Sequence, residues 1–379
     1  MSEKRVKRVL ITGGGTGGHI YPALAILEEL KKHGEFDFLY VGGKHGIETR
    51  IVPEKGIAME TIIVSGFARS FTLKNLLFPV KLLIGLMQSM RIIRRFQPDV
   101  ALGTGGYVSG PILYVAAQRG VPVLIFDADA YPGVTSRILG RYARRICLGF
   151  ESARKYFRGM EDKIVFTGNP VRKGLQRNDR EALLKKWGLS SERLTLLIFG
   201  GSQGARAINQ AMLNIYPSLV TALPIQVLWQ TGRGEFESVR QQLGEGHEYI
   251  KLVPYIEDMS EAYTIADVIL CRAGATTLAE LAIVAKPTIL IPYPYSAGNH
   301  QVENAREIMK GGAAFMIEQK GDWEKSLKDA LFKLFEDERI RAEQSSAWEK
   351  FARPNASGLI AEEILNLIQN ENNRVVVEH

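Results

Sequence analysis

Apolar and polar positions along this chain fall into blocks that change period: short continuous apolar runs, then glycine, then stretches with apolar residues three or four apart. The first kind reads as buried strands and the second as helices covering them, a pattern that predicts an α/β chain with parallel sheets. Strands are expected over residues 9–12, 38–41, 62–64, 100–102, 123–126 and 163–166, and again over 194–199, 227–230, 250–253, 268–271 and 288–291. Helices are expected to open near Pro22 and at Arg206, and to cover 179–187, 276–285, 323–335, 340–351 and 357–369. The second half repeats the plan of the first, and 167–172 reads as the hinge between them. Two doubly wound Rossmann-like domains facing a cleft are the predicted architecture.

One segment departs from simple alternation. Pro79 is expected to separate a short helical piece over 73–78 from a longer helix over 79–95. Leu76, Val80, Leu83, Met87 and Met90 form a stripe sufficient to face a core. The surplus, Phe71, Leu77, Phe78 and Leu82, is interleaved with Arg69, Lys74 and Lys81, the pattern of a segment lying on an anionic membrane. A buried helix with solvated lysines is the alternative. Nucleic acid fits less well, because the basic residues alternate with aliphatics rather than stacking aromatics.

Composition narrows the class. With 379 residues, 46% hydrophobic and 23% charged, the chain is an ordinary globular one with room for two or three domains. Two cysteines, Cys147 and Cys271, lie in strand-like runs without metal or redox spacing, so a reducing cytoplasm is expected. The start, MSEKRVKRVLITGG, reads as no signal peptide, and no stretch reads as transmembrane. A net charge of +7 favours an anionic partner.

The glycine turns carry the candidate chemistry. Gly13 to Gly18, after the first strand, would expose backbone N–H groups to phosphate. No Lys-Ser/Thr pair follows, so it is not a P-loop, and Gly42-Gly43-Lys44 stands where a hydride-transfer enzyme would carry an acid. His19 closes this loop and is the candidate general base; a turn-capping histidine is the plainer reading. Further glycine turns follow the strands at 100–102 and 194–199. In the 268–301 stretch, Gly274 would allow close backbone approach, Thr276 or Thr277 would cap the helix, and Glu280 would accept both hydroxyls of a ribose. Alternatively Glu280 merely complements the helix dipole.

Five motifs in order, GGGTGGHIYPALA from Gly13, GTGGYVSGP from Gly103, TGNPVR from Thr167, GGSQGARAIN from Gly200 and RAGATTLAE from Arg272, together resemble the MurG family. That resemblance implies a GT-B fold and an inverting transfer of N-acetylglucosamine from UDP-N-acetylglucosamine to lipid-linked N-acetylmuramyl-pentapeptide, without metal or cofactor. It implies an acceptor and membrane domain at 1–166 with 352–379 packing back on it, and a donor domain at 167–351. On the donor side it places Thr16, Gly17, Gly18, Asn169, Arg172, Ser202, Gln203, Ala275, Thr277, Glu280, His300 and Gln301. The acceptor side takes Gly14, Gly15, Gly105, Gly106, Tyr107, Asp127 and Asp129, with His19 as base. Phe71, Lys74, Leu77, Phe78, Lys81 and Leu82 would meet the anionic cytoplasmic face of the membrane.

One stretch departs from the family. Phe126-Asp127-Ala128-Asp129 stands where it usually reads His-Glu-Gln-Asn, which puts the mode of acceptor binding in doubt. Rival readings are a diacylglycerol glycosyltransferase, a UDP-sugar epimerase and a nucleotide-sensing module without catalysis.

Overall fold

The computed structural model describes residues 5–64, 78–172, 174–175, 179–201, 203–244 and 249–377, and the chain divides into two compact units, Met1–Val171 with Pro354–His379 and Arg172–Arg353. Among the described residues the first unit carries strands β1 (Lys7–Thr12), β2 (Phe36–Gly43), β3 (Ala58–Ile62), β4 (Val100–Gly103), β5 (Val123–Asp127), β6 (Arg145–Leu148) and β7 (Ile164–Phe166). They pair in parallel in the order β3-β2-β1-β4-β5-β6-β7. Strand order reverses between β1 and β4, where Thr12 stands opposite Gly103. The loops leaving those two strands therefore emerge side by side, which is the usual ligand position in such sheets.

The second unit repeats the design with β8 (Leu194–Phe199), β9 (Ile225–Gln230), β10 (Ile250–Val253), β11 (Val268–Cys271), β12 (Thr288–Leu290) and β13 (Ala314–Met316), in the order β10-β9-β8-β11-β12-β13. Its switch point lies between β8 and β11. Central strands are buried on both faces, as the continuous apolar runs require: Leu10, Ile11, Ile198, Ile269 and Leu270 have no exposed surface. The Ala356–Val377 helix belongs to the first unit, where it packs on the Gly17–Leu30 helix and β4. Ile360, Ala361 and Ile364 are fully buried there, and Glu363 accepts from Arg145 Nε at 2.9 Å.

Several expected elements shift. The third strand is Ala58–Ile62 rather than 62–64, and β13 was not among the expected strands. The first helix opens at Gly17, well before Pro22, so Pro22 lies inside it and offers no N–H to the Gly18 carbonyl. Thr276 and Thr277 do not cap the helix after β11: it runs Ala275–Val284 with Gly274 at the N-cap and no side-chain cap bond.

The largest correction concerns the Phe78–Phe96 helix. Of the stripe expected to face the core, Val80, Leu83 and Met87 face solvent at 54%, 58% and 57% exposure and Met90 is also exposed, while Leu76, with the rest of the short piece expected before Phe78, lies outside the described residues. Gly85, Ser89, Ile92 and Ile93 are buried instead. The cause is close backbone packing. A Cβ on Gly85 would lie 2.8 Å from the Ile63 carbonyl, and Gln88 Oε1 accepts the Ile63 N–H at 2.7 Å. Small residues, Gly85 and Ser89, define the inner face near Ile63, and Ile92 and Ile93 continue it toward the end of the helix.

Candidate active site

In the first unit the loops after β1 and β4 interlock. Thr104 Oγ1 donates to the His19 carbonyl at 2.7 Å, and a Cβ on Gly13 would collide with that hydroxyl at 2.1 Å. Gly105 and Gly106 both have positive φ, of 107° and 83°. Side chains there would strike the His19 ring and the Gly14 carbonyl, so glycine is required on steric as well as conformational grounds. His19 Nδ1 lies 3.0 Å from the Thr104 carbonyl oxygen. A carbonyl can only accept, so that nitrogen carries the proton and the ring's lone pair is on Nε2, the tautomer a general base needs. The structure thus brings Gly14, Gly105, Gly106 and His19 together at one sheet edge, with Tyr107 exposed beside them.

Gly15 is different. Its N–H is already donated to Glu48 Oε2 at 3.1 Å, so it has no main-chain donor to spare for an acceptor phosphate. Asp127 is also committed. Its oxygens accept the N–H groups of Asp129 and Gly133, each at 3.2 Å, and its partners include the Ser136 hydroxyl. At 6% exposure it pins the loop after β5 rather than presenting a carboxylate. Burial, then the charge of Asp129, pushes it up to about 6. Asn169, expected on the donor side, is buried in the first unit, where Nδ2 donates to the Ala128 carbonyl at 3.0 Å.

In the second unit the site forms at the carboxyl ends of β8 and β11. The helix from Ala275 starts without a side-chain cap, so its first N–H groups and positive dipole end suit an anion. Glu280, 3% exposed, lies one turn beyond Thr276 and Thr277. One carboxylate oxygen accepts from Arg172 Nε at 2.7 Å and the other from the Tyr263 hydroxyl at 2.8 Å. Burial, then Glu280, pushes the Tyr263 phenol far up, which keeps it a donor. Burial lowers the Arg172 guanidinium, but Glu280 more than offsets this and leaves it raised.

The surrounding loops are braced by buried amides. Gln230 Nε2 holds the Gly201 carbonyl at 3.0 Å, and Asn304 Nδ2 the Ala273 carbonyl at 3.3 Å. Gln203 is exposed on its loop, and Gln301 Oε1 accepts the Tyr293 N–H at 2.9 Å, next to His300 at the start of the His300–Lys310 helix. Ser202, Phe71, Lys74 and Leu77 lie outside the described residues; Phe78 and Lys81 are half-buried and Leu82 is exposed. Glu48 and Tyr263 went unnoticed in the sequence. Their signal was faint: a lone acid after a glycine turn and a tyrosine in an apolar helix.

A glycine-loop pair with a histidine on one unit, and an uncapped helix with a buried carboxylate on the other, are the features expected of a sugar-nucleotide glycosyltransferase of GT-B architecture. Family models agree: the glycosyltransferase family 28 N-terminal domain matches residues 9–148 and the C-terminal domain 195–359. The UDP-N-acetylglucosamine--N-acetylmuramyl-(pentapeptide) pyrophosphoryl-undecaprenol N-acetylglucosamine transferase of Limosilactobacillus reuteri is 41% identical, over 92% of this chain and 95% of that one. The protein of the same name from Listeria monocytogenes is 39% identical, over 96% and 100%. This chain belongs to the MurG family. The crystal structure of Acinetobacter baumannii MurG superposes with a TM-score of 0.77 at 27% identity, over 95% of this chain and 99% of that one. A UDP-GlcNAc 2-epimerase from Neisseria meningitidis gives 0.67 at 13% identity, over 95% and 100%, a likeness of fold alone.

Proposed function

We propose that this protein transfers N-acetylglucosamine from UDP-N-acetylglucosamine to undecaprenyl-pyrophosphoryl N-acetylmuramyl-pentapeptide, the step that forms lipid II in peptidoglycan synthesis. The observation that carries this reading is identity of about 40% with transferases of that name across nearly the full length of both chains. Local geometry supports it. Glu280 would receive the ribose hydroxyls, the Ala275 backbone the uracil, the helix N–H groups near Thr277 the diphosphate, and Arg172 the charge on the departing UDP. Thr16, Gly17, Gly18, Gln203, His300 and Gln301 remain assigned to the sugar nucleotide, and Gly14, Gly105, Gly106, Tyr107 and Asp129 to the acceptor.

In the reaction His19 Nε2 takes the proton of the acceptor hydroxyl. That oxygen attacks the anomeric carbon from the face opposite UDP, the bond to the diphosphate breaks, and UDP leaves with the electron pair. Inversion follows from a single displacement. Helix N–H groups offset the growing charge by roughly 0.3–2 kcal/mol from the dipole alone.

The protein works as a peripheral enzyme on the cytoplasmic face of the membrane. Among the described residues no helix is long and apolar enough to cross a bilayer. Exposed Val80, Leu82, Leu83 and Met87 on the Phe78–Phe96 helix and Val134 and Ile138 on the Val134–Leu139 helix supply an apolar surface, and the Ser109–Gln118 helix packs against both. A radiolabelled-donor assay offering lipid I, diacylglycerol or no acceptor tests the whole reading. Label must appear in lipid II; label in a glycolipid, or epimerised donor without transfer, would replace it with a rival.

A further inference from the structure

The first glycine loop contains more glycine than a ligand requires, and the reason lies beneath it. Glu48, the first residue of the Glu48–Glu54 helix, is 1% exposed. Its two oxygens take backbone N–H groups from two different segments, Gly15 in the loop after β1 at 3.1 Å and Gly43 at the end of β2 at 3.0 Å. A Cβ on Gly14 would lie 2.3 Å from Glu48 Oε1, one on Gly42 2.6 Å from its Cγ, and one on Gly46 2.0 Å from Oε2. Three glycines thus make room for this carboxylate. The buried Tyr40 hydroxyl completes the underside, donating to the Gly13 carbonyl at 2.7 Å.

We propose that Glu48 is a positioning residue for the acceptor half of the reaction, fixing Gly14 and Gly15 so that this part of the loop seats against Gly106 and His19 meets the acceptor sugar. The inference rests on assigning Gly14, Gly106 and His19 to the acceptor. Gly14 is held between Glu48 below and Gly106 alongside, so the carboxylate fixes how the first loop seats against the loop that carries the His19 partner Thr104.

Glu48→Gln keeps the shape but replaces one acceptor oxygen by an NH₂ group, which must face a backbone N–H. The expected result is an acceptor KM raised about tenfold or more, from a stranded buried donor, with donor KM within about twofold and a chain still folded at the assay temperature. A purely structural carboxylate would lower the melting temperature and leave this split unmoved, which overturns the proposal. Gly46→Ala is the second variant: it lies outside the loop, does not need positive φ, and displaces the carboxylate sterically. It should reproduce the acceptor-specific defect, and a normal acceptor KM in a folded Gly46→Ala enzyme would count against the role. Failure of both variants to fold would make Glu48 structural and overturn it as well. If the unaltered enzyme does not glycosylate lipid I, the functional reading fails first and the proposal falls with it. If it does, and the Gln variant matches it, the proposal alone fails.

Discussion

Glu280→Ala removes a group with two jobs, and the structure lets them be separated. A carboxylate offers about four lone-pair positions; Arg172 and Tyr263 use one on each oxygen, which leaves two for vicinal ribose hydroxyls. Loss of a charged acceptor for those hydroxyls should lower donor kcat/KM by ~1.5–3 kcal/mol, about 10- to 150-fold. Stability changes for another reason. Tyr263 is buried, and stranding its hydroxyl costs ~1–3 kcal/mol. Arg172 is about half exposed, regains water and contributes little. Adding Tyr263→Phe removes the stranded hydroxyl, so the double variant should be more stable than Glu280→Ala by ~1 kcal/mol, roughly 2–4 °C in Tm for a unit of this size. Its donor defect should not deepen. Calorimetric melting and donor-varied kinetics on all four chains measure both effects. A double variant that loses stability additively would refute the network, and an unchanged donor kcat/KM in Glu280→Ala would remove the ribose from that carboxylate.

His19→Ala should cut kcat by ~10²–10⁴-fold with donor binding nearly unchanged, read by steady-state rates and donor calorimetry; an intact rate moves the base elsewhere. Asp127 has a folded pKa of about 6, above its ordinary 3.8, so the native state holds the extra proton between those values. Its stabilising contribution is complete below about pH 4 and lost as pH rises through 6. Asp127→Asn should therefore flatten that fall by roughly 3 kcal/mol at neutral pH, seen as urea midpoints that diverge from the native chain's between pH 4 and 7; parallel curves would contradict it. Val80, Leu83 and Met87 changed together to glutamine should weaken sedimentation with anionic vesicles and preserve transfer to a soluble acceptor analogue. Unchanged sedimentation would show that this face has another use.

Strands and glycine turns were legible because their causes are local. A run such as VILC at Val268–Cys271 has few other ways to bury itself, and glycine after a strand marks a tight turn wherever it occurs. Glu280 and His19 could be singled out for the same reason, standing at fixed offsets from those turns. The side of the Phe78–Phe96 helix that faces inward could not be read from period alone, since that helix is apolar on more than one face. Gly85 and Ser89 decide it by close approach to a backbone at Ile63, a contact distant in sequence. Glu48 was hidden similarly, and Asn169 was named but for another role: each serves a backbone group 33 or 41 positions away, and spacing carries no trace of such bonds. The Thr276 and Thr277 caps were a sound expectation from propensity that Gly274 displaced.

The Ala356–Val377 helix has a consequence for the order in which the molecule is made. Arg172–Arg353 is one continuous stretch, whereas the first unit is assembled from Met1–Val171 and Pro354–His379. On the ribosome the later unit can close its own core as soon as it emerges. The earlier one must wait for the final helix, whose Ile360, Ala361 and Ile364 cover the Gly17–Leu30 helix and β4. Translation therefore releases the two halves in reverse order of completion. Until that helix has been made, the Gly17–Leu30 helix and β4 stand with that flank bare, and a chain interrupted before Pro354 should be protected from protease in its second half more than in its first.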